Sequence, residues 1–245
     1  MKRIGMKRIG SICAAATLGL SFAGPLAAQM AEPLTCLLVP ARTSDIGSDR
    51  SGIVVGVDVS RGDFVEAGAA LVRFDTRLAE ADLRVARITI AGLDERMQRS
   101  EGLLERNLIS RDEIGALRTD LALSEAEEAR AQMEIDRGTI RAPFAGYVAR
   151  VDVAMGELIG AEPLLQIIEV SALDAELVFL AAAFGELEPG QEIALSVDLT
   201  QANVVAIVTA IDPFIDAMSN TFTVMAEIDN SDLAIPAGSS CAVAN

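Results

Sequence analysis

The chain has 245 residues, 51% of them apolar but with only one Tyr, eight Phe and no Trp, and its formal net charge is −16. So few aromatics leave no stacking platform for bases, and the acidic balance makes nucleic acid and anionic membrane surfaces poor partners. Histidine is absent, which removes His-ligated metal sites, Ser-His-Asp triads and Cys-His pairs together.

Residues 1–28 carry a basic start (Lys2, Arg3, Lys7, Arg8), an apolar run over 12–22, and the small residues Ala27 and Ala28 ahead of Gln29. That order predicts a secretory signal peptide cut near Ala28; the alternative is a retained anchor, against which the apolar run is short for a span. Met-Lys-Arg-Ile-Gly occurs twice, at 1–5 and 6–10, so Met6 is a second candidate start. No other stretch reaches membrane-spanning length, and the mature chain is expected to be exported. Cleavage would remove four basic residues, leaving 16 basic against 36 acidic, or −20. It would also remove Lys2 and Lys7, which are the chain's lysines.

Residues 34–39 read as a short strand ended by Pro40, and 41–51 as a polar connection. An ungapped repeat follows. The stretch from Gly52 to Asp75 recurs 94 positions later from Gly146 to Glu169, with eight identities that include Val57-Asp58-Val59 against Val151-Asp152-Val153, Gly62 against Gly156, and Leu71 against Leu165. Short β-branched runs broken by Gly predict strand, turn, strand in each copy. Half a sheet cannot bury its apolar face alone, so the two copies are expected to pack on each other and to carry the intervening segment outward.

That segment has apolar or small residues at 83, 86, 90, 93, 97, 100 and 104, alternating three and four apart, which predicts a coiled-coil helix over 76–106. After a break at Asn107, a second helix is expected over 111–137, with Ile114, Leu117, Leu121, Ser124, Ala131 and Ile135 on its seam and Glu128 interrupting it. Ser110-Arg111-Asp112-Glu113 reads as a capping box, in which the Ser side chain accepts from the Glu113 amide and the Glu reaches back. Arg99 and Leu103 lie off the seam. From 171 onward, strands are expected at 173–180, 192–199, 204–211, 221–228 and 240–243, with turns at Pro189-Gly190, Asp212-Pro213 and 236–238.

Two half-motifs of the biotinyl/lipoyl carrier fold, split by a helical hairpin and followed by a β-barrel segment, resemble the periplasmic adaptor subunits (membrane fusion proteins) of bacterial tripartite efflux pumps. The resemblance covers the chain from about Leu34 onward, and the stretch Ile140-Arg141-Ala142-Pro143-Phe144-Ala145-Gly146-Tyr147-Val148 is close to that family's wording. It implies a mainly β fold with an α-helical coiled-coil hairpin: a split lipoyl-like β-sandwich (51–75 and 139–170), the hairpin (76–138), a β-barrel (171–245), and a strand over 34–50 that joins the barrel. Residues 181–187 look like the short helix between the first two barrel strands. No segment matches the membrane-proximal domain that follows the barrel in typical adaptors for resistance-nodulation-division pumps.

By the same resemblance, Arg99, Leu103 and Ser110, spaced as Arg-x3-Leu-x6-Ser, form the tip that contacts an outer-membrane channel. Cys36 and Cys241, on strands that close one barrel in the family, are expected to form a disulfide once Cys13 has left with the signal peptide. The implied function is that of a non-catalytic periplasmic adaptor, without cofactor or metal. It would be associated with the inner membrane and self-associated in a ring of six. It would link an inner-membrane transporter, proton-driven or of the ATP-binding-cassette type, to an outer-membrane channel, with no nucleic-acid partner. Two rivals stand beside it. A lipoyl or biotin carrier needs an acceptor lysine, which the mature chain lacks; a free-standing envelope scaffold is the other.

Overall fold

The computed structural model describes residues 32–160 and 162–244; the expected signal peptide lies outside them. The elements are β1 (Thr35–Gly47), β2 (Gly52–Val57), β3 (Phe64–Val65), β4 (Ala70–Phe74), α1 (Arg77–Glu105), α2 (Arg111–Asp136), β5 (Thr139–Arg141), β6 (Gly146–Val151), β7 (Leu158–Ile159), β8 (Pro163–Leu180), β9 (Glu192–Val197), β10 (Asn203–Ile211), β11 (Thr221–Asp229) and β12 (Cys241–Val243). The fold is mainly β with a two-helix hairpin, as the sequence implies.

The two repeat copies do not fold as separate halves; each lends a strand to the other. β2 and β4 of the first copy form one sheet with β7 of the second, and β6 and β8 of the second form the other with β3 of the first. The exchange obeys the 94-residue offset: Gly52 pairs with Ile159 and Gly146 with Val65. The same symmetry extends to the turns. Gly62 N–H donates to Val148 O at 2.8 Å and Gly156 N–H to Val54 O at 2.7 Å. Both glycines are left-handed, at φ 92° and 89°, a conformation costly for residues with a Cβ. Even the bulges repeat, between Val54 and Gly56 and between Val148 and Arg150. Between the sheets lies one apolar core of Ile46, Val54, Leu71, Val72, Phe74, Val148, Leu165 and Ile167 among others.

β1 and β8 are longer than the sequence predicts. Pro40 does not end the first strand, and most of the expected polar connection over 41–51 is strand as far as Gly47. The physical reason is a register shift between Pro40 and Arg42, since an irregularity in the ladder is where a missing N–H is tolerated. β8 likewise crosses position 170 without a break. Its residues 165–168 pair with β6 and its residues 172–180 with β11, while β1 follows its other edge from Val178 to Pro163. One two-stranded ribbon thus serves both the sandwich and the barrel.

The barrel closes in the order β1-β8-β11-β10-β9-β12. The last seam, between β12 and β1, is made by the Leu37–Ser240 bridge, Leu38 N–H to Ser239 O at 2.9 Å, and a Cys36–Cys241 disulfide with Cα atoms 5.0 Å apart across 205 residues. A cross-link over so long a loop stabilises by roughly 3 to 5 kcal/mol in the chain-entropy view. Leu38, Leu173, Leu177, Phe179, Ile193, Leu195, Phe222 and Val224 are buried here. The expected short helix over 181–187 is a single 3-10 turn, Ala181–Ala183. Phe184, just after it, packs edge-on against Phe222 at 5.2 Å.

No basic residue follows Arg150; Arg42 of β1 pairs with Glu169 near the middle of β8, but among the described residues the carboxylates beyond it, on β8 to β12, make no ion pair. Asp174 sits directly opposite Glu227 across the β8–β11 ladder, and like charges so placed repel. Its pKa is raised by burial first, then by Glu227 and Glu176.

Two predictions follow from this layout. The folded state binds the Asp174 proton more tightly than the unfolded chain does, so this group weakens the fold at neutral pH and the effect fades as pH falls through the carboxylate range. Asp174→Asn should therefore raise Tm at pH 7, with the gap to the parent narrowing in acid; an unchanged or lower Tm at pH 7 would refute the repulsion. In addition, Arg73 pairs with Thr139 and Phe74 N–H donates to Gly138 O at 2.8 Å, which closes the base of the hairpin within the sheet. Replacing 76–138 by a short Gly-rich turn should leave one cooperative melting transition, measured by circular dichroism; its loss would place the hairpin inside the core.

Candidate functional site: the hairpin tip

α1 and α2 pack along the seam read from the sequence. Leu83, Ala86, Leu93 and Met97 of α1 are buried, as are Ile114, Leu117, Ser124 and Ala131 of α2. Glu128, which interrupts the seam, is there as an ion-pair partner: Arg87 Nε lies 2.8 Å from its carboxylate. At 1.5 Å per residue the 29 residues of α1 span about 44 Å.

Three anchors hold the base of the hairpin. A Cβ at Gly138 would lie 2.1 Å from Thr76 Cγ2, so the chain closes there only because position 138 is glycine. Arg50 donates to Glu134 O at 3.0 Å. Asp75, just before α1, accepts from the Arg77 side chain and amide, and those bonds lower its pKa to about 2. That contribution is present above the ordinary carboxylate range and fades as pH falls toward 2.

The distal end is built just as locally. α1 stops at Glu105, and Asn107 takes φ 56°, a conformation Asn tolerates. Asn107 N–H donates to Leu104 O at 2.8 Å and Leu108 N–H to Leu103 O at 2.9 Å, the pair of bonds that satisfies the orphan carbonyls of a helix end. Ile109 then turns inward onto a cluster of Leu93, Met97, Ile114 and Leu117. Ser110 opens α2 in extended conformation, its hydroxyl accepting from Glu113 N–H at 3.1 Å. Only this half of the capping box forms: among the described residues Glu113 makes no return bond to the Ser110 amide.

Arg99 and Leu103, one helical turn apart, share a face of α1. Arg99 is exposed and touches Glu95 at 3.5 Å, with both side chains about two-thirds or more in solvent; such a pair contributes little to stability. Leu103 is 39% exposed, its backbone carbonyl held by Leu108. Among the described residues the side chains of Arg99, Leu103 and Ser110 do not bond one another. They sit on one hairpin end, two on the outgoing helix and one capping the returning helix. Leu108, 66% exposed, is a further apolar side chain at this end that the motif spacing does not include; its position right after the Asn107 break is the signal that could have found it. Among the described residues Arg99 pairs with Glu95 alone, and Leu108 is left largely in solvent.

The model for the barrel-sandwich hybrid domain of RND MFPs matches residues 42–171. Among relatives, an uncharacterized protein of Haemophilus influenzae is 26% identical over 201 residues, covering 81% of this chain and 52% of that protein. Nodulation protein NolF of Rhizobium meliloti is 25% identical over 211 residues (80% and 58%). Multidrug resistance protein MdtA of Salmonella typhimurium is 25% identical over 244 residues (85% and 59%). The chain therefore spans between half and three-fifths of these relatives' length. Among solved structures, a MacA-MexA chimera with the Pseudomonas aeruginosa MexA α-hairpin superposes at TM-score 0.76 with 19% identity, over 85% of this chain and 77% of that one. The membrane fusion protein Spr0693 of Streptococcus pneumoniae R6 also reaches 0.76, at 17% identity, over 86% and 97%. At these identities the structural likeness concerns the fold.

Ser110→Ala should remove the cap and cost about 1 kcal/mol, with faster amide hydrogen exchange confined to the first turn of α2. Exchange that speeds up equally in the sandwich would show the cap to be coupled to the whole fold.

Proposed function

The chain belongs to the family of RND membrane fusion proteins, and on that premise we propose that it is a periplasmic adaptor joining an inner-membrane transporter to an outer-membrane channel. The observation that carries this reading is the hairpin end, where Arg99 and Leu103 are offered on one face of α1 without a structural task. A channel built of helices would receive Leu103 between its side chains and Arg99 at a carboxylate or a helix C-terminus, while the Ser110 cap keeps the turn in shape. The barrel would face the transporter. Copies of the chain would pack side by side into a ring of six that encloses the conduit, the tips together holding the channel open. The work is mechanical and needs no catalytic group. In this role the protein is periplasmic and held near the inner membrane; no helix among the described residues is long and apolar enough to cross a membrane.

Arg99→Asp tests the reading. The side chain is solvated and weakly paired, so the variant should melt as the parent does, whereas capture of the outer-membrane channel in a pull-down and efflux in cells should both be lost. Full channel binding and full efflux by Arg99→Asp would refute the tip assignment.

A further inference from the structure

β8 changes partners where it leaves the sandwich. β6 pairs with it up to Ile168 and β11 from Ala172, so on that edge the backbone of 169–171 lies between two ladders. On the other edge β1 shifts register between Pro40 and Arg42, which stand opposite Leu173 and Glu169, and Pro40 has no N–H to give. A two-stranded ribbon is marginal by itself, and a register shift bends the strand that carries it. Beside it the sandwich residues Phe64 and Tyr147 share a cleft of about 210 Å³ with Ser231 and Leu233 of the loop between β11 and β12, so packing leaves the ribbon room to bend.

One side chain bridges the gap. Asn230, the residue after β11, is 1% exposed, and its backbone N–H donates to Ser171 O at 2.9 Å. Its side-chain amide donates to Val170 O at 2.7 Å and to Ile235 O at 2.9 Å, and accepts from Ile235 N–H at 3.0 Å. The amide thus acts as a rung where the ladders stop. From Ile235 the chain runs to Gly238, whose N–H donates to Leu38 O at 2.6 Å, so the loop straps one strand of the ribbon to the other. Leu233 in this loop takes φ 56°, a left-handed conformation costly for leucine, and such strain persists only where the surrounding structure imposes it. On the sandwich side Arg42 lies over the Phe144 ring at 4.7 Å and pairs with Glu169, so the ribbon is gripped there as well.

We propose that Asn230 is a positioning residue that fixes the angle between the sandwich and the barrel. Burial is not its task, since an apolar residue would fill the same space without holding Val170. The consequence for the tip rests on the adaptor reading above: a bend of ~10° carried by an arm about 44 Å long moves its end by about 8 Å, so a fixed angle aims the hairpin.

The test places nitroxide labels on Ala67→Cys in the sandwich and Ala194→Cys in the barrel, both exposed, in the full-length chain, and reads their separation by pulsed electron resonance. Cys36 and Cys241 are already paired and take no label. The parent should give one narrow distance peak; a broad or double peak would overturn the lock. Asn230→Ala strips both donors from the clasp and should broaden or split that peak. A lower Tm with the peak unchanged would make Asn230 a stability residue only and overturn the proposal. Asn230→Ser, whose hydroxyl cannot reach Val170 and Ile235 together, gives the same reading through a milder change; if neither variant folds, Asn230 belongs to the barrel core and the proposal fails. Channel capture by the same samples keeps the two readings apart. Capture weakened in step with the broadened peak supports the aim, and full capture by the broadened variants overturns it. A parent that captures no channel refutes the adaptor reading while the joint stands.

Discussion

The structure depends on the exchange of strands between the two repeat copies. Neither copy has a sheet wide enough to cover its own apolar side, and the short strands β3 and β7, two residues each, have no value except as edges of the other copy's sheet. Burial of Leu71 and Leu165, both wholly inaccessible, is possible only when the copies are interlocked. Removal of either residue would leave a cavity costing about 2 to 5 kcal/mol, a large share of a typical domain's stability. Interlocking has a geometric by-product. It brings the end of β4 against the start of β5, so whatever lies between them must leave and return at one point. A pair of antiparallel helices of nearly equal length, 29 and 26 residues, is what satisfies that condition.

From this follows a division of labour. The sandwich is held by apolar burial and backbone ladders and tolerates little change. The hairpin is held by its own seam, its caps and a few base contacts from Arg50, Asp75 and Gly138, so its outer faces and its tip are not committed to the sandwich core. The β1–β8 ribbon then carries the sandwich into the barrel without a flexible joint. The disulfide secures the seam where the barrel has the least hydrogen bonding, since β12 contributes only three residues. Acidic side chains that face one another on β8 and β11 show that the barrel surface is not tuned for stability alone.

Much of this was legible in the residues. The 94-residue offset, the glycines at 62 and 156 and the three-four spacing over 83–104 locate the sandwich and the hairpin, because each pattern answers to a local geometric need. The half-motifs and the helical seam were also enough to suggest the family. What stayed hidden was non-local. Nothing in Phe64-Val65 or Leu158-Ile159 says that these pairs belong to the other copy's sheet. Pro40 reads as a stop because a proline ends most central strands, and only the register shift in the partner strand makes it tolerable. Near 170 the passage from sandwich to barrel is made without a break in the strand: the partner strands change there, while the chain itself runs on. At the tip, the spacing of Arg99, Leu103 and Ser110 could be read, whereas Leu108 falls outside it: its exposure depends on Asn107 adopting a left-handed turn, and only the helix break at Asn107 points to it.

The central claim is that the hairpin is an arm whose far end, and no other part of the tip-bearing helices, engages an outer-membrane channel. Hydrogen–deuterium exchange of the full chain with and without the cognate channel reads this directly, residue by residue. The account predicts added protection over 99–113, with the sandwich core and barrel unchanged. Protection that spares 99–113, or that appears first on the sandwich or the barrel, would contradict it.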